Sequence, residues 1–175
     1  MEYNAKKMNT ILNNLNENGT VEIFSTLKQL PLLAQAIHNI LQVGDWVFLD
    51  GDLGSGKTAL AKELSVLFGL QNFFTSPTFS ILNNEKLPTA IRGVEQLLHL
   101  DLYRLKSGKE LYYIGLEQEF RVENSIALFE WPDVLDEEEW ENFFNITGCS
   151  RPKRILRIQI DGSEGERSYV FSFLT

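Results

Sequence analysis

The sequence predicts an α/β domain: a partly antiparallel sheet flanked by helices, with a C-terminal antiparallel hairpin. Three observations carry this. Short apolar runs such as Trp46–Leu49 and Ile126–Phe129 have the length and uninterrupted character of strands covered on both faces. Helical periodicity lies between them, as in Ala59–Phe68, so strands and helices interleave. Finally, Ile155–Ile160 and Tyr169–Phe173 alternate around the turn-rich Asp161-Gly162-Ser163-Glu164-Gly165, the pattern of a hairpin with a longer loop.

Residues 1–19 read as an N-terminal extension, either a mobile arm or a capping helix, and residues 20–175 as one domain. Val21–Phe24 alternates like a short strand. Ser25 or Thr26 is placed to cap a helix carrying Leu33, Ala34, Ile37 and Leu41. Gly44-Asp45 marks a turn before the Trp46–Leu49 strand, and the helix through Leu60, Leu64 and Leu67 closes at Gly69. Phe74–Pro77 reads as a loop and Phe79–Leu82 as a strand. Asn83–Gly93 is polar and contains a proline, which predicts a turn or flexible connection. Leu97–Leu102 is the next strand, and one or two short helices, broken near Gly115, fill Glu110–Phe120. After Ile126–Phe129, Asp136 is a candidate cap for a helix ending near Phe144.

Bulk properties narrow the function. The chain has 175 residues, a hydrophobic fraction of 43% and a charged fraction of 23%, ordinary for a soluble globular protein. A net charge of −8 argues against tight direct binding of nucleic acid, which needs a basic surface. The one dense basic cluster, Arg151, Lys153, Arg154 and Arg157, reads most simply as a solvated strand edge, and the acidic Asp133–Glu141 as a solvated helix face. The single cysteine, Cys149, excludes an intrachain disulfide and fits a reducing compartment. No apolar run is long enough to span a membrane, and the Asn-rich start lacks a signal-peptide core, so a cytoplasmic location is expected.

Gly51-Asp52-Leu53-Gly54-Ser55-Gly56-Lys57-Thr58 matches G-x-x-x-x-G-K-[ST] in full, between an apolar strand and an amphipathic helix. Glycines let successive N–H groups turn toward phosphates, and the start of the helix adds its positive end. Lys57 is placed to reach the outer phosphates and Thr58 to offer a hydroxyl to magnesium; Asp52 through Ala59 are the candidate nucleotide contacts. The fold class thus sharpens to P-loop NTPase-like, with ATP and Mg2+ as expected ligands. Asp101, ending a strand, is the best candidate for a magnesium-binding carboxylate. His99 shares its side and is at least as well explained by core packing. Glu130, just past Ile126–Phe129, could orient the attacking water, touch the magnesium shell, or simply open a loop. Trp131 could stack near the nucleotide or pack. Thr75-Ser76-Pro77-Thr78 could carry a hydroxyl to magnesium or the γ-phosphate, or form a plain turn.

Together with Thr75-Ser76-Pro77-Thr78-Phe79, His99-Leu100-Asp101-Leu102-Tyr103-Arg104-Leu105, Gly115-Leu116-Glu117 and Glu130-Trp131-Pro132, the phosphate loop resembles the TsaE (YjeE) family. These are small ATPases of bacterial tRNA threonylcarbamoyladenosine biosynthesis. The resemblance spans about residues 21–134 and weakens beyond. It implies phosphate and magnesium roles for Lys57 and Thr58, a magnesium role for Asp101, and a switch-like loop in Ser76 and Thr78. It also implies hydrolytic and nucleotide-contact roles for Glu130 and Trp131; Lys57, Asp101 and Glu130 form the expected catalytic set, and Thr58, Asp101 and Glu130 the metal set. The same resemblance implies weak ATPase activity alone, monomeric by itself, with TsaB and TsaD as partners and tRNA contacted indirectly. Ser55 stands where the family usually has alanine, and residues 1–19 exceed its usual start.

Two other classes fit the loop. A small-molecule kinase would need an arginine-bearing lid, and the one arginine set lies in a strand-like segment. A GTPase switch would need N-K-x-D and D-x-x-G motifs, which the sequence lacks.

Overall fold

The computed structural model describes residues 4–15, 19–71, 81–113, 120, 124–162 and 165–174. Seven strands form one sheet: β1 (Thr20–Thr26), β2 (Asp45–Asp50), β3 (Leu82–Ile91), β4 (Val94–Asp101), β5 (Ser125–Glu130), β6 (Arg154–Asp161) and β7 (Glu166–Leu174), in the order β1-β7-β6-β2-β5-β4-β3. The inner strands β6, β2, β5 and β4 run parallel, and the outer pairs β1–β7, β7–β6 and β4–β3 run antiparallel. This is the expected mixed sheet with its C-terminal hairpin.

Strand parity divides the core into two apolar layers. Val47, Leu49, Leu97, Ile126, Leu128, Ile158 and Phe171 face α1 (Ala5–Asn13), α2 (Leu30–Ile40) and α3 (Lys57–Leu67). Trp46, Phe48, Leu98, Leu100 and Phe129 face α4 (Lys109–Tyr113) and α5 (Glu137–Thr147). The second layer is rich in aromatics: Trp46 lies 4.7 Å from Phe129 and 5.5 Å from Phe144, ring centre to ring centre. Asp136 caps α5, accepting from Glu139 N–H at 2.8 Å while Glu139 reaches back to the Asp136 N–H.

Three segments refine the sequence reading. Residues of the N-terminal arm form helix α1, which lies on α2 and buries Met8 and Leu12 in the same core. Thr26 opens a 3-10 turn, Leu27–Gln29, that leads into α2. Asn83–Gly93 is not a flexible connection. It is the edge strand β3, turning to β4 through Arg92 and Gly93, both at positive φ as a two-residue hairpin requires. The polarity that suggested a loop belongs to an edge strand exposed along most of its length, and Pro88 sits where its pairing register shifts. Phe79 and Ser80, and the Gly115 break, lie outside the described residues.

Candidate functional site

The sheet order puts the C-terminal ends of β2, β5 and β4 side by side. Leu49 is in register with Glu130, and Glu130 with Asp101. The phosphate loop leaves β2 at this edge, where ligands of open α/β sheets bind. Gly51 has a φ of 135°, and a Cβ there would meet the Ile160 carbonyl oxygen at 2.2 Å, so the chain turns off β2 only with glycine at this position. α3 then starts at Lys57 behind Gly56.

One cleft of roughly 240 Å³ gathers most of the predicted residues, though not Asp52: Gly54, Gly56, Lys57, Thr58 and Ala59 on one wall, Asp101, Tyr103, Glu130 and Trp131 on the other. Leu53 borders its mouth and is 76% exposed. Ser55 is buried beneath the loop rather than facing the cleft. Thr78 and Ser76 lie outside the described residues.

The cleft's central contact joins residues 72 positions apart. The Thr58 hydroxyl donates to Glu130 Oε2 at 2.8 Å. On its other side, Glu130 Oε1 lies 2.9 Å from His99 Nε2. A carboxylate only accepts, so His99 Nε2 carries the hydrogen of this contact. Glu130 is 2% exposed and sits on the α3 side of the sheet with His99 and Asp101, because all three share the parity of Leu97 and Leu128. His99 is therefore a buried residue that orients Glu130, a role its position on the strand did not reveal. Asp101 lines the same cleft, and its Oδ1 accepts from the Tyr103 N–H at 3.1 Å.

Lys57 folds over the loop: its ammonium donates to the carbonyls of Gly51 at 2.6 Å and Asp52 at 2.9 Å, and lies 3.7 Å from the centre of the Trp131 ring. Burial pulls its pKa down, against the opposing pull of Glu130, Asp101, Asp50 and Asp52. Trp131 adopts a left-handed backbone at φ 61°, uncommon for a bulky residue and frequent at functional sites. Its N–H donates to the Leu49 carbonyl, its ring packs 5.0 Å from Tyr103, and a 3-10 turn, Pro132–Val134, follows it.

The oxygen donors Thr58, Asp101 and Glu130 suit a hard cation such as Mg2+. Among the described residues no group of three or more His, Cys, Asp or Glu is placed to hold a metal ion.

Two arginines have contacts that the sequence reading did not assign to them. Arg157 on β6 pairs with Asp50 at the root of the loop (2.6 Å) and with Asp133 in the turn after Trp131. The three arginines of the basic cluster are thus ion-paired, since Arg154 likewise holds the buried Asp45 and Arg151 holds Glu141. Arg167 on β7 donates to the Ser55 carbonyl at 2.9 Å. Its signal was present: residue 167 has the inward parity of Tyr169 and Phe171, where an arginine needs a buried partner. Among the described residues no helix is long and apolar enough to cross a membrane.

A model of the family described as threonylcarbamoyl adenosine biosynthesis protein TsaE matches residues 24–167. The chain is similar to proteins named tRNA threonylcarbamoyladenosine biosynthesis protein TsaE. That of Rickettsia bellii is 34% identical over 114 residues, 65% of this chain and 74% of that protein. That of Synechocystis is 35% identical over 124 residues, 69% and 75% of the two chains. That of Streptomyces coelicolor is 30% identical over 134 residues, 77% and 80%. Among solved structures, the crystal structure of the Bacillus protein YdiB shares the fold, with a TM-score of 0.58 at 24% identity over 87% of this chain and 84% of that one.

Proposed function

The chain belongs to the TsaE family, and on that premise we propose that it is the ATP-binding and ATP-hydrolysing component of tRNA threonylcarbamoyladenosine biosynthesis. The observation that carries the reading is the bond from the Thr58 hydroxyl to Glu130, which joins the phosphate loop to a buried carboxylate across the cleft. Family membership supports the pathway; the cleft supports the chemistry. In it, loop N–H groups and the start of α3 hold the phosphates, and Lys57 exchanges its carbonyl partners for the outer phosphate oxygens. Mg2+, which Thr58 on one wall and Asp101 and Glu130 on the other would hold, would neutralise charge on the phosphates. Glu130, aimed by His99, faces the cleft where water meets the γ-phosphorus; water's oxygen bonds to phosphorus, the bridging bond to ADP breaks, and a proton leaves with phosphate.

The site residues are thus Lys57, Asp101 and Glu130 for catalysis, with Asp52–Ala59, Thr78 and Trp131 contacting the nucleotide. Residues 1–19 form an extension on a single ATPase domain, 20–175, that works in the cytoplasm. The family resemblance supplies the partners, TsaB and TsaD, with tRNA contacted through them, and an ATPase that is slow until they are present. Titration of the purified chain with ATP, GTP and Mg2+, followed by phosphate release with and without TsaB and TsaD, tests this. ATP is expected to win over GTP, Lys57→Ala to lose most affinity, and the partners to raise turnover. A preference for GTP, or fast turnover alone, would overturn the reading.

A further inference from the structure

Arg167 lies on β7, 112 positions beyond Ser55, and is 4% exposed. β7 alternates inward at 167, 169 and 171, so the same parity that buries Tyr169 and Phe171 delivers the Arg167 guanidinium beneath the phosphate loop. There its Nε donates to the Ser55 carbonyl oxygen at 2.9 Å. The Nε also lies 3.8 Å from where a Gly56 Cβ would stand. The guanidinium therefore supports the Ser55–Gly56 peptide from the side opposite the cleft, which Gly56 borders.

That peptide is trans and planar, so the Ser55 carbonyl and the Gly56 N–H point in opposite directions. Holding the oxygen toward β7 aims the N–H away from it, toward the cleft. The direction needs holding, because Gly56 has a φ of 109° and glycine resists rotation less than any other residue. In a phosphate loop the anion is gripped by such N–H groups acting together, so the aim of one sets the shape of the cradle.

We propose that Arg167 is a positioning residue for nucleotide binding: through the Ser55 carbonyl it fixes the Gly56 N–H, and with it the phosphate cradle. The proposal rests on the loop being the nucleotide site.

The test uses the full chain with Arg167→Gln, Arg167→Lys and, as a control, Phe171→Leu, which loosens the same strand face without touching the loop. Melting temperature, ATP affinity by calorimetry, and the Gly56 amide resonance by NMR are recorded for each. Arg167→Gln is expected to weaken ATP binding by about tenfold to a hundredfold, the scale of one charge-assisted hydrogen bond. Arg167→Lys, which keeps the charge but not the Nε donor, is expected to fall between, with a displaced Gly56 amide. Phe171→Leu is expected to melt lower and bind ATP as the parent does. Equal ATP affinity in parent and Arg167→Gln would overturn the proposal. So would a Phe171→Leu loss matching that of Arg167→Gln, which would reduce Arg167 to a packing role. Should Arg167→Gln not fold, Arg167→Lys decides: parent-like affinity and an unmoved Gly56 amide overturn the proposal. Failure of the parent itself to bind ATP would instead refute the nucleotide-site reading.

Discussion

Replacing Glu130 separates what its carboxylate does for the fold from what it does in the cleft. Glu130 is 2% exposed and accepts from Thr58 at 2.8 Å while meeting His99 Nε2 at 2.9 Å. Glu130→Ala removes the acceptor from a buried imidazole and leaves a small cavity, at a cost of about 2–4 kcal/mol. At roughly 2–4 °C per kcal/mol for a chain of this length, the melting temperature falls by about 5–15 °C. Glu130→Gln keeps the shape: the amide oxygen accepts from His99 and the amide nitrogen donates to the Thr58 oxygen, so the cost stays below about 1 kcal/mol. Both variants remove the negative charge proposed to face the reacting water. Turnover with partners present is expected to fall at least about a hundredfold in each, while ATP affinity, carried by Lys57 and the loop N–H groups, changes far less. Thermal denaturation, calorimetry and phosphate release on the three proteins make the comparison. Wild-type turnover in Glu130→Gln would refute the catalytic role. Equal destabilisation by Gln and Ala would refute the hydrogen-bond geometry.

Three further outcomes follow from the same coordinates. Burial raises the pKa of Asp50, and the Arg157 guanidinium opposes it. A raised acid favours the native state at low pH, and the cost of its buried charge grows as pH climbs through the ordinary carboxylate range and is complete above the raised value. Arg157→Gln removes the counter-charge, so its melting deficit is expected to be largest at neutral pH and to shrink as pH falls through the Asp50 value; a pH-independent deficit would count against the pair. Leu12→Ala empties a fully packed position between α1 and α2 and is expected to cost about 2–5 kcal/mol by urea denaturation while leaving ATP affinity unchanged. Gly51→Ala sets a Cβ against the Ile160 carbonyl and is expected to lower both melting temperature and nucleotide binding, whereas Leu53→Ala at the exposed tip changes stability little.

Much of this fold was legible because local patterns and tertiary packing agree. The inner strands are covered on both faces, so Trp46–Leu49 and Ile126–Phe129 read as apolar runs, and the Asp136 cap announces α5 in its own sequence. The loop Gly51–Thr58 is recognisable because phosphate binding by backbone needs glycine at defined places. What stayed hidden depends on partners remote in sequence. β3 looked like a loop because its pairing with β4 is backbone hydrogen bonding, which leaves polar side chains free to face water. Arg157 looked like part of a solvated basic edge, because nothing near residue 157 reveals Asp50, 107 positions away. Arg167 had a parity signal, but its target is a carbonyl oxygen, which every residue has.

The order of strands also decides how the two acids divide the work. On position alone Asp101 is the leading magnesium ligand, whereas Glu130 could orient water, touch the magnesium shell or open a loop, and it joins the catalytic and metal sets through the family resemblance. Yet β5 is the immediate neighbour of β2, and β4 lies one strand farther. Adjacent strands are about 4.8 Å apart, so Glu130 lies within side-chain reach of the first turn of α3, and Asp101 is about twice as far from β2. The structure shows the consequence: Glu130 touches Thr58 directly, whereas Asp101 holds the Tyr103 backbone. Glu130 is also clamped from behind by His99, and the residue after it, Trp131, takes a left-handed turn that brings its ring over Lys57. One short stretch at the end of β5 thus reaches both the hydroxyl and the ammonium of the phosphate loop. A displacement of that stretch moves both contacts together, so the end of β5 ties the Thr58 and Lys57 ends of the loop's first helical turn to one another.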